Sequence, residues 1–207
     1  MQSISSWDAI DAALARRRSF AAGLFARLAD GSSDGQGITR ASYGDGEAFA
    51  HELMAQTAED MGLGVERDAA CNTYMTLPGG GAPRIVIGSH LDSVQNGGNF
   101  DGAAGVVAGL TALAAMKDAG FKPPGDLSVM AIRAEESAWF GVSYIGSRAA
   151  LGLLPDGALD NARRTDTGRA LADHIADAGG DPAALRAGVR FFDPAALGAY
   201  LELHIEQ

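Results

Sequence analysis

Hydrophobic positions along the chain follow two rhythms. In "SWDAIDAALARRRSFAAGLFARLAD" (6–30), apolar residues recur at intervals of three and four, which lines one face of a helix. Ser6 is the type of residue that caps a helix start, and Gly31 the type that stops one. A glycine- and serine-rich loop, "GSSDGQGITRASYGDGE", leads to a second helical pattern, "EAFAHELMAQTAEDMG", ending at Gly62. Two short strand-like runs follow, "LGVERDA" and "NTYMTLP", then the turn "PGGGAP". "RIVIGSH" is a β-branched apolar run that suits a strand buried on both faces. "GAAGVVAGLTALAAMKDAG" is a helix of mostly small residues, able to pack closely on a sheet, and "DLSVMAIRAEE" is a second buried strand closed by two acids. Beyond "SYIGSRAAL" lie a loop marked by proline and aspartate, the helix "GRALADHIADAGG" and a last strand pattern, "LGAYLELHIEQ". Strand, helix, strand in succession implies a parallel pair joined by a crossover. The prediction is an α/β fold: a mixed, mostly parallel sheet flanked by helices.

In such sheets ligands bind beyond the carboxyl ends of the strands. Three ends carry reactive side chains: Ser89-His90-Leu91-Asp92, Glu135-Glu136, and His204-Ile205-Glu206-Gln207. Imidazole nitrogen and carboxylate oxygen are the ligands of zinc, manganese and cobalt in hydrolytic sites. His90 supplies nitrogen, and Asp92, two residues on, is placed to orient that imidazole. Asp101 precedes a helix and could serve only as its cap. Alternatively, "NGGNFDG" bends the chain back and brings Asp101 towards His90, where a carboxylate could bridge two cations about 3.5–4 Å apart. Adjacent Glu135 and Glu136 point in different directions, so one can ligate a metal while the other takes a proton from water. The alternative for that pair is two solvated surface acids.

Composition narrows the choice of function. A formal charge of −10 in 207 residues leaves no basic stripe for a phosphate backbone, so nucleic acid is not an expected partner. Arg16-Arg17-Arg18 reads as a solvated helix face. The single cysteine, Cys71, excludes an internal disulfide framework and reads as a small apolar residue in a strand. No run approaches the roughly 18 apolar residues of a membrane span, and no apolar leader stands at the N-terminus, so the expected location is cytoplasmic. His51 and His174 lie in helical patterns without a ligand at helical spacing and read as structural. A serine nucleophile lacks G-x-S-x-G, and the glycine loop lacks the dinucleotide and phosphate fingerprints.

"GSHLDSVQNGGNFDGAAGVVAGL", "IRAEESAWFGVSYIGSRAALG" and "YLELHIEQ", together with "GITRASYGDGEAF" and "CNTYMTLPG", resemble the zinc-dependent amidohydrolases that include N-carbamoyl-L-amino-acid hydrolases, allantoate amidohydrolases and β-ureidopropionases. The resemblance implies two divalent ions, zinc foremost with manganese or cobalt as alternatives. It implies that His90 and His204 bind the first ion, Asp101 bridges and Glu136 binds the second. Glu135 would be the general base, Asp92 would orient His90, and Gln207 would lie on the substrate side. The implied reaction is hydrolysis of a non-peptide C–N bond in a small ureido, carbamoyl or linear amide substrate. An aminoacylase or dipeptidase is the alternative, and a metal-binding fragment without catalysis is another. Relatives of this type add an inserted dimerisation domain and a returning catalytic segment with one more histidine. Residues 1–207 are therefore expected to form the N-terminal portion of a catalytic domain whose full-length relatives are homodimers, with an exposed apolar surface where the remainder packs.

Overall fold

The computed structural model describes residues 4–205. Gln207 therefore lies outside the described residues. The chain opens with α1 (Ile4–Arg16) and α2 (Arg18–Ser32), continues through α3 (Asp45–Asp60), and then enters the sheet with β1 (Gly64–Arg67), β2 (Thr73–Leu77) and β3 (Ala82–His90). Helix α4 (Ala103–Asp118) crosses to β4 (Gly125–Ile132). Five short helices follow: α5 (Ser137–Phe140), α6 (Ile145–Ala150), α7 (Ala158–Asn161), α8 (Leu171–Asp177) and α9 (Pro182–Arg186). Strand β5 (Leu197–Leu201) comes last.

The sheet is mixed, with order β1-β2-β4-β3-β5. β3 runs parallel to both β4 and β5, whereas β1–β2 and β2–β4 are antiparallel. The parallel half therefore brings the carboxyl ends of β3, β4 and β5 to one edge. Period-two alternation assigns the two faces. Leu127, Val129 and Ala131 of β4 join Met75 of β2 in the core under α2, α3 and α4, with Leu28, Leu53, Leu110 and Leu113. Met130 and Ile132 point the other way, into a smaller cluster with Tyr74, Val86 and Phe192. A third cluster ties α8 to the loop after β4 through Tyr43, Phe140, Ile145, Leu171 and Ile175.

Several local expectations change. The first helical pattern is two helices, with Ser6 inside α1 and Gly31 inside α2. At Arg17 the N–H bonds Leu14 O, three residues back, and the guanidinium reaches Asp118 at 2.7 and 2.8 Å. That pair ties the junction of α1 and α2 to the end of α4. Cys71 is buried but sits in the turn between β1 and β2 at φ 64°, not in a strand. The acids after β4 lie three and four residues past its end, on a loop rather than on the strand itself. Apolar surface is exposed along β5 and beyond it, at Tyr200, Leu201, Leu203 and Ile205.

The small residues of α4 set how closely it approaches β3. A Cβ on Gly105 would meet the carbonyl oxygen of Leu203 and, at 2.5 Å, the Cβ of Ser89. Gly105→Ala should therefore lower stability by about 1–3 kcal/mol, because backbone must move to admit the methyl. Gly23→Ala, on the exposed face of α2 with nothing within 4 Å, should instead raise it by up to about 1 kcal/mol. Thermal unfolding of both variants checks the pair; equal effects would contradict the close α4–β3 approach.

Candidate active site

The site is built where the three parallel strands end. His90 is the last residue of β3 and is fully buried. Its Nδ1–H donates to the Asp92 carbonyl oxygen at 3.0 Å, with an Asp92 carboxylate oxygen at 3.4 Å. That bond leaves Nε2 as the nitrogen aimed into the site. Gly102, at φ 62°, lies flat against the ring, and a Cβ there would stand 2.5 Å from His90 Nδ1. Only glycine serves at that position, because both the left-handed backbone and the contact exclude a side chain.

Asp101 is 5% exposed, and Gly102, not Asp101, occupies the cap position of α4. The Asp101 carboxylate faces inward, with Oδ1 3.4 Å from His90 Nε2 and 3.5 Å from His204 Nε2. The two imidazole Nε2 atoms stand 3.3 Å apart. These three distances form a nearly equilateral triangle. Ligands at about 2.0–2.1 Å in a tetrahedral site stand about 3.3–3.4 Å from one another. The triangle thus has the size, and its two nitrogens and one oxygen the chemistry, that a zinc-like cation requires. His90, Glu135 and Glu136 form a second group, again with the ligating atoms within 4.8 Å of one another, and Glu135 Oε2 lies 3.8 Å from His90 Nε2.

Asp92 does more than its spacing suggested. One of its carboxylate oxygens accepts from Glu135 N at 3.0 Å, and the other accepts from Glu136 N at 3.1 Å and from Ser42 Oγ at 2.6 Å. The same residue thereby orients the imidazole through its carbonyl and ties the β4 loop to β3 through its carboxylate. Trp139 Nε1–H adds a bond to Ser93 O at 2.7 Å. Ser42 and Trp139 were not singled out from the sequence, since neither lies near a strand end in the chain. His51 and His174 stay outside the site: His51 is buried on Thr73 Oγ1 at 2.9 Å, and His174 Nε2 meets Thr167 Oγ1 at 3.0 Å.

Electrostatics separates the groups. Burial alone would lower the His90 pKa, but the carboxylates of Asp101 and Asp92 overcome it and raise it to about 11. Burial raises both Glu135 and Glu136 above the ordinary carboxylate value; His90 opposes this at Glu135, and Asp92 adds to it at Glu136. Two cavities meet at Glu135, Tyr144 and His204. One, of about 290 Å³, is polar and takes in Asp101, Glu136, Ser137 and Ser143. The other, of about 370 Å³, is lined by Ile132, Leu151, Phe192 and Tyr200.

Comparison with known proteins shows what the chain is similar to. Residues 72–154, which carry His90, Asp101, Glu135 and Glu136, match the family model for Peptidase family M28. Over a longer stretch the chain is similar to the hydantoinase/carbamoylase family amidases. It is 40% identical over 179 residues to the N-carbamoyl-L-amino acid amidohydrolase of Geobacillus stearothermophilus, covering 86% of this chain and 43% of that protein. Against the allantoate amidohydrolase of Bacillus subtilis it is 31% identical over 180 residues, covering 85% and 42%. A crystal structure of a hydantoinase/carbamoylase family amidase from Burkholderia ambifaria superposes with a TM-score of 0.76 at 33% identity, covering 90% of this chain and 45% of that one. The chain spans less than half the length of the curated relatives it matches.

The raised His90 pKa sets a pH dependence. Its folded value lies above the ordinary 6.5, so its charge contributes stability that is complete below that pH and is lost as pH rises towards about 11. His51 is shifted the other way, well below 6.5, by burial first and then by Arg133. In chelator-dialysed protein, nitrogen NMR should show both rings flat through roughly pH 5–8, His90 protonated and His51 neutral. A His90 ring titrating near 6.5 would contradict the site's electrostatics.

Proposed function

We propose that this chain carries the metal-holding centre of a hydrolase that cleaves a C–N bond of a ureido or carbamoyl compound with water. The observation that carries the reading is the triangle of His90 Nε2, Asp101 Oδ1 and His204 Nε2, with edges of 3.3–3.5 Å and Glu135 beside it. His90, Asp101 and His204 would hold one divalent ion, zinc first and manganese or cobalt as substitutes. Asp101 and Glu136 would hold a second. An ion bound there supplies a Lewis acid that lowers the pKa of water and polarises the substrate oxygen.

The remaining work falls to side chains. Glu135, half-buried and raised above the usual carboxylate range, is suited to take a proton from the attacking water. It then returns that proton to the nitrogen of the breaking C–N bond. Asp92 keeps Nδ1 of His90 protonated and Nε2 free to ligate, and it holds the Glu135 backbone in place. The polar cavity at Glu135 and Glu136 has room for a planar ureido group, and the apolar cavity beyond Tyr144 for a less polar remainder. For an N-carbamoyl amino acid, one water is consumed and the amino acid, ammonia and carbon dioxide leave. The relatives' names support N-carbamoyl-L-amino acids and allantoate as the substrates to try first.

Zinc titration by calorimetry, followed by release of ammonia from N-carbamoyl-L-amino acids and allantoate, tests the proposal. We expect His90→Ala to abolish zinc binding. Glu135→Gln should keep the ion and lose about 10²–10⁴ of the rate. A chain that binds no zinc, or a Glu135→Gln variant with undiminished turnover, would overturn it. Cleavage of dipeptides in preference to ureido compounds would move the substrate to the peptide side of the M28 kinship.

A further inference from the structure

The loop that presents the two acids is held in an unusual way. Four consecutive backbone N–H groups, from Arg133 to Glu136, each end on a buried side-chain oxygen. Arg133 N donates to Asn72 Oδ1 at 2.9 Å, Ala134 N to Glu47 Oε1 at 2.8 Å, and Glu135 N and Glu136 N to the two oxygens of Asp92. Asn72, Glu47 and Asp92 are all fully buried. On the other side of the same segment, the carbonyls of Arg133, Ala134 and Glu135 accept from the N–H groups of Gly146, Ile145 and Tyr144. Ala134, in the middle, is held at φ 51°, a left-handed conformation that a residue with a Cβ adopts only when its surroundings impose it.

Glu47 is the member whose presence the cluster of ligating side chains does not explain. It belongs to the first turn of α3, and its oxygens are occupied by Tyr43 N at 2.6 Å, Arg133 Nη1 at 2.8 Å and Ala134 N. Arg133 is also buried and gives its Nε–H to Cys71 O at 3.2 Å. Burying such an ion pair costs desolvation that its attraction barely offsets, so apolar replacements are often as stable. Stability alone therefore gives little reason for the pair. Its geometry gives another: it grips the residue immediately before Glu135.

We propose that Glu47 and Arg133 are positioning residues that aim Glu135 and Glu136, with Glu47 holding Ala134 in its left-handed conformation. This rests on the reading of those two acids as site groups. Once the Glu47 oxygen is withdrawn, Ala134 relaxes towards negative φ. The peptide plane ahead of Glu135 then turns, and both carboxylates swing relative to His90.

The test uses the whole chain with Glu47→Leu, which leaves no oxygen for Ala134 N, and with Glu47→Leu/Arg133→Met, which in addition leaves no guanidinium buried alone. Backbone amide exchange is measured at residues 134–136 and, as an internal standard, at Val86 and Ile87 of β3. Cobalt binding is followed in parallel by its visible absorption, which reports coordination geometry. We expect exchange at 134–136 at least about tenfold faster with β3 unchanged, and cobalt bound about 10–100-fold more weakly with an altered spectrum. Exchange and cobalt binding both within about twofold of wild type would overturn the proposal. So would β3 exchange rising in the same proportion in both variants, since the pair would then hold only the fold. Faster exchange at 134–136 in a chain whose wild type binds no cobalt would uphold the positioning and defeat the proposed function instead.

Discussion

One buried carboxylate joins the two halves of the site. Asp92 stands just past β3, and its oxygens hold the N–H groups of Glu135 and Glu136, just past β4. Those N–H groups lie beyond the sheet ladder and need partners, because an unpaired buried donor costs about 1–3 kcal/mol. Meeting that need with a side chain from the neighbouring strand fixes the distance between the two strand ends. The same residue gives its carbonyl to His90, so imidazole and acids are referenced to one point.

The parallel pairing of β3 with β4 and β5 then decides what can meet. It brings His90, the Glu135-Glu136 loop and His204 to the same edge. The start of α4 closes the fourth side, because Gly102 lets the backbone lie against the imidazole and turns Asp101 inward. Packing and chemistry are coupled here. The absence of a side chain at Gly105 that lets α4 approach β3 also admits the carbonyl of Leu203, next to His204.

Much of this was legible in the sequence, for identifiable reasons. A β-branched run followed by glycine and a histidine marks a buried parallel strand with a reactive end, so His90 stood out. His204 and the two acids followed from the same rule. Asp101 could be either cap or ligand in the sequence; Gly102 takes the cap position, and the Asp101 carboxylate faces His90 and His204. Other features left no local trace. Three successive arginines are good helix formers, so nothing local marks the break at Arg17 or its pairing with Asp118, 101 residues away. Glu47, an acid in the first turn of a helix, has the pattern of a solvated end that complements the helix dipole. Its burial depends on Arg133, which sequence separation hides. The two-residue spacing of His90 and Asp92 suggested an imidazole partner, which the carbonyl of Asp92 largely supplies, while its carboxylate serves the acids.

In this structure the ends of β3 and β5 and the start of α4 meet around one candidate cation site. Anomalous diffraction at the zinc edge, from crystals of the chain grown with zinc, tests it most directly. We expect a peak bonded to His90 Nε2, Asp101 Oδ1 and His204 Nε2 together. A peak elsewhere on the surface, with these three side chains turned apart, would contradict it.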